Sequence, residues 1–420
     1  MTMDLHERAR QILRQNDKGG YTLPTHGLYP YQWNWDSAFA AWGFATFDIP
    51  RAWDEFDTLL ASQWECGMVP HIIFHAPDPS YFPGPDVWST GQSPATSGIS
   101  QPPVAATMVR RVWEMDRNAG RGRLAAIYPK LVAWHRWWHE VRCVQGPAAI
   151  THPWESGRDN CPDWDIGMAG VDGSNVGPYT RRDTGHVDPS MRPQKEQYDR
   201  YIAMVQFGVS VGWDQKRIVD EGPFLMADPG ITFILLRAHE DLIALGQALG
   251  EDTQEIAHWA ETLRAALPEI WNPDLGAYDA KNLRTDEFAG ILGSGALLAY
   301  VANAGNPELD AHLMRVWDAV NYGIPSADPH HPSFDARRYW RGPSWPFLNA
   351  LIAIGFRDMG RHDLDNRLRR ETAAAIAKNG FAEYFDPLDA TACGGMDFTW
   401  TAAIWLTWAG LDAEENRGAA

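Results

Sequence analysis

Apolar residues recur at three- and four-residue spacing along most of the chain. The pattern covers residues 50–64, 104–118, 124–141, 230–250, 253–271, 308–320, 345–360 and 362–380, and it predicts helices that each bury one face. Several carry boundary signals: Pro50 in a first turn, Asp228 and Pro229 ahead of another helix, and Gly250 and Gly380 just past two ends. Weaker segments near 37–46, 202–211, 293–301 and 398–409 bring the number to about a dozen, so the chain is predicted to be all-α. Long loops rich in Gly, Pro, Asp and Trp separate them at 73–101, 151–197 and 322–346. Loops of that length are functional or disordered, and their aromatic content argues against disorder. They are expected to roof a pocket. With no linker or composition shift, a dozen paired helices fit one closed toroid of six inner and six outer helices. That makes a single domain over 1–420, with insertions around 73–101 and 151–197 forming a lid. A two-domain helical protein is the alternative.

Composition narrows the function more than the fold. Tryptophan is abundant, at 21 of 420 residues, which calls for a use of flat indole faces. A net charge of −18 with no basic run argues against nucleic acid as a partner. The beginning MTMDLHERARQILRQ lacks the charged and apolar regions of a signal peptide, and no apolar run is long enough to span a membrane. The expectation is therefore a cytoplasmic protein with no membrane partner, able to form a homo-oligomer. Cys66, Cys143, Cys161 and Cys393 are scattered without metal-ligand or disulfide spacing.

Two Trp-rich loops hold candidate carboxylates. In HPWESGRDNCPDWD (152–165), Asp159 lies between Trp154 and Trp164, where partial desolvation would raise its pKa for work as an acid. Its structural alternative is an Asx turn. In NGFAEYFDPLDATACGGMDFTW (379–400), Glu383 is the best opposing carboxylate. Asp386 reads there as a turn residue, Asp397 as the N-cap of the last helix, and Asp389 stays a competitor. Glycoside hydrolysis uses such a pair, one protonated at the leaving oxygen and one charged on the other face of the sugar. The segments YPYQWNWDSAF (29–39) and RRYWRGPSWPF (337–347) set aromatic and charged residues just ahead of helices. Trp33 and Trp35 read alternatively as core residues, and Asp36 as an N-cap. The pairs His71/His75 and His330/His331 lack the glutamate or spacing of a metal site, and no phosphate-binding glycine loop occurs. Neither a metal nor a cofactor is expected.

Taken together, WESGRDNCPDWD, RRYWRGPSWPFLNALI, EYFDP…GG…FTWTAA, YQWNWDSAF and TSGISQPP resemble glycoside hydrolase family 63, in particular its bacterial mannosylglycerate and glucosylglycerate hydrolase branch. The motifs run in order from Tyr29 to Trp405. The resemblance implies an (α/α)6 barrel and hydrolysis of α-glycosides with inversion. It places the general acid on Asp159 and the general base on Glu383. Tyr29, Trp33, Trp35 and Asp36 match the sugar-holding segment, and Tyr339, Trp340 and Trp345 match the aromatic wall opposite. Gln101 matches a sugar or aglycone contact. Arg200, in preference to Arg192 and Arg181, is expected to meet the carboxylate of a small substrate such as 2-O-α-mannosyl- or glucosyl-glycerate. The alternatives are an α-glucosidase or α-mannosidase for a neutral disaccharide, a sugar epimerase using His71, His75, His135 or His152, and a non-catalytic sugar-binding module.

Overall fold

The computed structural model describes residues 4–143 and 145–411. Helices dominate, and they fall into two kinds by how completely they are covered. Every residue of Asn34–Ala45 is buried, as is every residue of Pro346–Asp358 except the last. A helix that is apolar all round belongs in the middle of a larger structure. Leu5–Asn16, by contrast, buries only Ala9, Ile12, Leu13 and Asn16 and leaves a charged face outward.

The covered helices pack in sequence. Asn34–Ala45 lies against Ala105–Met115, which lies against Pro229–Leu249, and that helix packs against the short helix Ser294–Leu297 and the 3₁₀ turn Leu298–Ala302. The 3₁₀ turn packs on Pro346–Asp358, which meets Thr399–Ile404, and Thr399–Ile404 returns to Asn34–Ala45. Outside this closed order, Ile49–Ala61 packs on Asn34–Ala45 and Ala105–Met115, Arg117–Val141 on Ala105–Met115 and Pro229–Leu249, Gln254–Ala265 on Pro229–Leu249, His362–Asn379 on Pro346–Asp358, and Leu5–Asn16 on Thr399–Ile404 and Asn34–Ala45. Close approach within the ring uses glycine. A Cβ on Gly43 would stand 2.6 Å from that of Ala403, where the first and last inner helices meet.

Several elements differ from the sequence expectation. The segment 293–301 is divided between one α-helical turn, Ser294–Leu297, and a 3₁₀ turn that starts at Leu298, and the last inner helix ends in a π-helical turn at Trp405–Ala409. Leu5–Asn16 is an additional helix, capped by Asp4 accepting from His6 N at 3.1 Å. Short antiparallel strands of two or three residues also occur in a chain read as all-α. Gln32–Trp33, Ile72–Phe74 and Ala95–Thr96 form one sheet, and Tyr384–Phe385 pairs with Ala392–Cys393. These ladders tie the long loops to one another, and they are too short to show a period of two in the sequence. Among the described residues, no helix is long and apolar enough to cross a membrane, and no cluster of three metal-ligating side chains occurs.

Candidate active site

At one end of the inner helices a cavity of about 910 Å³, including its open mouth, gathers residues from six stretches of the chain. Its wall includes Tyr29, Trp33, Trp35, Asp36, Gln101, Asp159, Tyr339, Trp340 and Glu383, nine of the eleven residues singled out from the sequence. Trp345 and Arg200 are not part of it. Trp345 stacks behind Trp340 at a ring distance of 3.8 Å and stiffens the wall without forming it. Arg200 is half-buried on the helix Lys195–Ser210, away from the lining; the arginines that do line the cavity are Arg182 and Arg192.

The loop that carries Asp159 is fixed on both sides. Arg142 donates to Glu155 at 2.7 Å, and Thr151 N reaches the same carboxylate at 2.8 Å, so Glu155 is consumed by a buried ion pair. Arg158 donates to Asp228 at 2.5 Å, and Asp228 in turn accepts from Gly230 N at the start of the helix Pro229–Leu249. Gly157, at φ +67°, lets the chain lie directly on the indole of Trp35, where a Cβ would come within 2.5 Å of the ring. The other acids of the motif are also engaged. Asp163 accepts from Cys161 Sγ at 2.6 Å, and Asp165 pairs with Arg341 at 2.5 Å. Among the acids of this motif, Asp159 alone faces the cavity, with no hydrogen bond or ion pair to its carboxyl from another described residue. Burial pushes that carboxyl up to about 7, against the pull of its own backbone N–H and of Arg192.

Glu383 has the opposite surroundings. It precedes the strand Tyr384–Phe385, and its N–H donates to Gly395 O at 2.7 Å. Gly395 N donates back to Oε2 at 2.9 Å, Tyr29 Oη donates to Oε1 at 3.0 Å, and Arg192 Nη2 lies 3.0 Å from Oε2. Burial raises this carboxyl too, and Arg192 and these hydrogen bonds oppose the rise without cancelling it. The competing acids serve the scaffold. Asp386 and Asp389 both pair with Arg337, and Asp397 pairs with Arg8 at 2.7 Å.

Asp36 stands in the first turn of Asn34–Ala45, where Trp33 occupies the N-cap position, so no capping bond uses its carboxylate. Burial and then Glu383 raise its pKa well above the ordinary value. Gln101 Oε1 accepts from Trp35 N at 3.1 Å. The TSGIS stretch before it is seated by Ser97 Oγ accepting from Ile72 N, and by Ser100 Oγ donating to Val69 O at 2.8 Å. Tyr339 adopts φ +35°, held by its N–H donating to Met191 O, and its hydroxyl lies 3.5 Å from that of Tyr29. Of the histidines considered for acid–base work, His71 alone lines the cavity. His152 is spent on Trp154 N and Tyr201 O, and His135 contacts His239 inside the core.

Sequence reasoning missed Tyr81, Phe82, Arg182, Asp183 and Trp400, all of which line the cavity, and it ranked Arg200 above Arg192, which lines it too. Most sit in loops without periodicity, and aromatic density was the one signal that could have pointed to them.

The pattern of the mannosylglycerate hydrolase MGH1-like glycoside hydrolase domain matches residues 29–401. The chain is 42% identical to a mannosylglycerate hydrolase of Thermus thermophilus, over 96% of this chain and 99% of the relative. It is 35% identical to a glucosylglycerate hydrolase of Mycolicibacterium hassiacum, over 97% and 98%. The crystal structure of a family 63 mannosylglycerate hydrolase of Thermus thermophilus in complex with Tris and D-glycerate superposes with a TM-score of 0.93, at 42% identity, over 96% of this chain and 99% of that one.

Proposed function

Since the chain belongs to the mannosylglycerate hydrolase MGH1-like glycoside hydrolases and is itself a glycoside hydrolase, we propose that it cleaves a small α-glycoside of glycerate with inversion, Asp159 acting as general acid and Glu383 as general base. The substrates that fit are 2-O-α-mannosylglycerate and 2-O-α-glucosylglycerate, which the relatives' names describe. The closed order of paired helices supports an (α/α)6 barrel in one domain, and the loops around 73–101 and 151–197 supply its lid. A small charged solute as substrate suits an enzyme acting in the cytoplasm.

One observation carries the chemistry: two carboxyl groups on one cavity stand in opposite surroundings. Asp159 has no cation paired with its carboxyl, and burial raises it to about 7, so that it holds a proton well above the ordinary carboxylate range, as an acid must. Glu383 has a guanidinium and two further donors, as a base that must stay charged requires. Asp159 gives its proton to the glycosidic oxygen as the bond to the anomeric carbon breaks. Glu383 takes a proton from the water that attacks the opposite face. Such a water needs carboxyl groups about 6.5–9.5 Å apart. Trp33, Trp35 and Trp340 offer apolar faces to sugar C–H groups, while Asp36 and Gln101 offer partners to hydroxyls. A glycerate carboxylate meets Arg182 or Arg192 in place of Arg200, because those two face the cavity.

The test is a panel of α-glycosides that includes both glycosylglycerates, with proton NMR of the first sugar formed and with Glu383→Gln beside wild type. The β-anomer should appear first. Glu383→Gln should lose about 10²–10⁴ in kcat. Initial release of the α-anomer, or a folded Glu383→Gln enzyme of normal activity, refutes the assignment.

A further inference from the structure

The countercharge of Glu383 comes from a distant part of the chain. Arg192 follows the 3₁₀ turn Pro189–Met191 and lies 191 residues before Glu383. Both side chains are almost wholly buried, at 2% and 1% exposure. The guanidinium stands over the rings of Tyr339 at 4.7 Å and Tyr29 at 5.7 Å. The backbone beside it is pinned by the same walls, since Met191 O accepts from Tyr339 N at 3.2 Å and from Tyr384 Oη at 3.0 Å. A buried carboxylate and a buried guanidinium are each costly alone, and losing either leaves the other uncompensated.

The remaining charged groups around the base do not replace this partner. Asp36 from the first inner helix, Asp159 from its loop and Asp183 from the segment before Arg192 are all carboxyls on the same cavity. Tyr29, Tyr339 and Tyr384 face Glu383 as neutral phenols, their ionisation suppressed by burial. The second arginine of the lining, Arg182, is turned to Gly27 O, Asp78 and Ser80. We propose that Arg192 is a positioning residue for the base: it keeps the Glu383 carboxylate charged and aimed into the cavity whatever the charge of the substrate. Seating of the 181–193 segment and readiness of the base then become one event. The inference rests on Glu383 being the base.

An opposite charge at this range lowers a carboxyl pKa by about 1–3 units. Arg192→Met removes the charge, so the acid limb of the kcat/KM profile should move up by more than about one pH unit. The shift should be the same on a glycosylglycerate and on its neutral glycosylglycerol counterpart. Arg192→Lys should restore most of the limb, and Arg192→Gln takes the place of the Met variant should that fail to fold. A second reading is independent of turnover. In protein labelled with ¹³C at the glutamate carboxyls, the signal absent from Glu383→Gln should titrate more than about one unit higher in the Arg192 variant than in wild type. An activity loss confined to the charged substrate, with limb and titration unmoved, overturns the proposal and makes Arg192 a carboxylate contact only. A wild type without activity on any α-glycoside would instead refute the proposed function, and the titration would still decide the role of Arg192.

Discussion

Replacing Asp159 by Asn separates its acid function from its structural surroundings, because the two make opposite predictions for stability. Burial takes the Asp159 carboxyl from 3.8 to about 7, a displacement of about three units, or about 4 kcal/mol at 1.36 kcal/mol per unit. The carboxyl is only partly buried at a cavity wall, so solvent screening reduces the expected effect to about 2–3 kcal/mol. The sign follows from proton binding. Between about pH 4 and about pH 7 the native protein holds a proton that the unfolded chain has released, so native stability falls as pH rises through that window and levels off above it. Asp159→Asn has no such proton. Its stability relative to wild type should therefore increase by about 2–3 kcal/mol between about pH 4 and pH 7.5, read by urea denaturation of both proteins at the two pH values. The same variant should lose about 10²–10⁴ in kcat on a glycosylglycerate, and the basic limb of its pH profile should vanish. On an α-glycosyl fluoride, whose leaving group needs no proton, much of the activity should remain. Parallel pH dependence of stability in the two proteins would show that Asp159 ionises as an ordinary surface carboxyl, and the acid assignment would fall with it.

Two further substitutions probe how the site is held. Gly394, at φ +71°, leaves no room for a Cβ beside Glu383 Oε2, so Gly394→Ala should lower kcat at least about tenfold with the fold retained; steady-state kinetics and a thermal melt check it, and unchanged kcat would show that the base tolerates displacement. Arg142 and Glu155 form a fully buried pair under the acid loop at 2.7 Å, so Arg142→Met should cost about 3–5 kcal/mol in urea denaturation by stranding the carboxylate.

The parts of this molecule readable from sequence are those set by neighbours in the chain. Pro346–Asp358 and the weaker segment near 37–46 read as helices from the spacing of their apolar residues, while their inner position shows only in their complete burial, and Gly380, where φ is +79°, marks the end of His362–Asn379. The same rule accounts for Leu5–Asn16, through its Asp4 cap and the buried stripe of Ala9, Ile12 and Leu13. The loop of 151–197 is opaque in the sequence because its order comes from across the fold. Arg192 and Arg200 lie eight residues apart in one stretch. The helix that begins at Lys195 carries Arg200 away, while the extended chain before it turns Arg192 inward.

Charge pairing explains why the proposed catalytic pair stands out among so many acids. Glu155, Asp163 and Asp165 surround Asp159 in sequence, and each has a partner: Arg142, Cys161 or Arg341. Near Glu383, Asp386, Asp389 and Asp397 are held by Arg337 and Arg8. A scaffold acid is one whose charge is answered within the scaffold, where removing the partner costs stability. The two acids of these motifs that remain are Asp159, with no paired cation, and Glu383, whose paired cation is Arg192 from the loop before Lys195–Ser210. Composition cannot distinguish these cases, since every pairing joins residues from different loops or helices or depends on which way a loop turns. The physical criterion that sets the proposed acid and base apart is therefore the source of each carboxylate's paired cation: none for Asp159, and Arg192, 191 residues away in the chain, for Glu383.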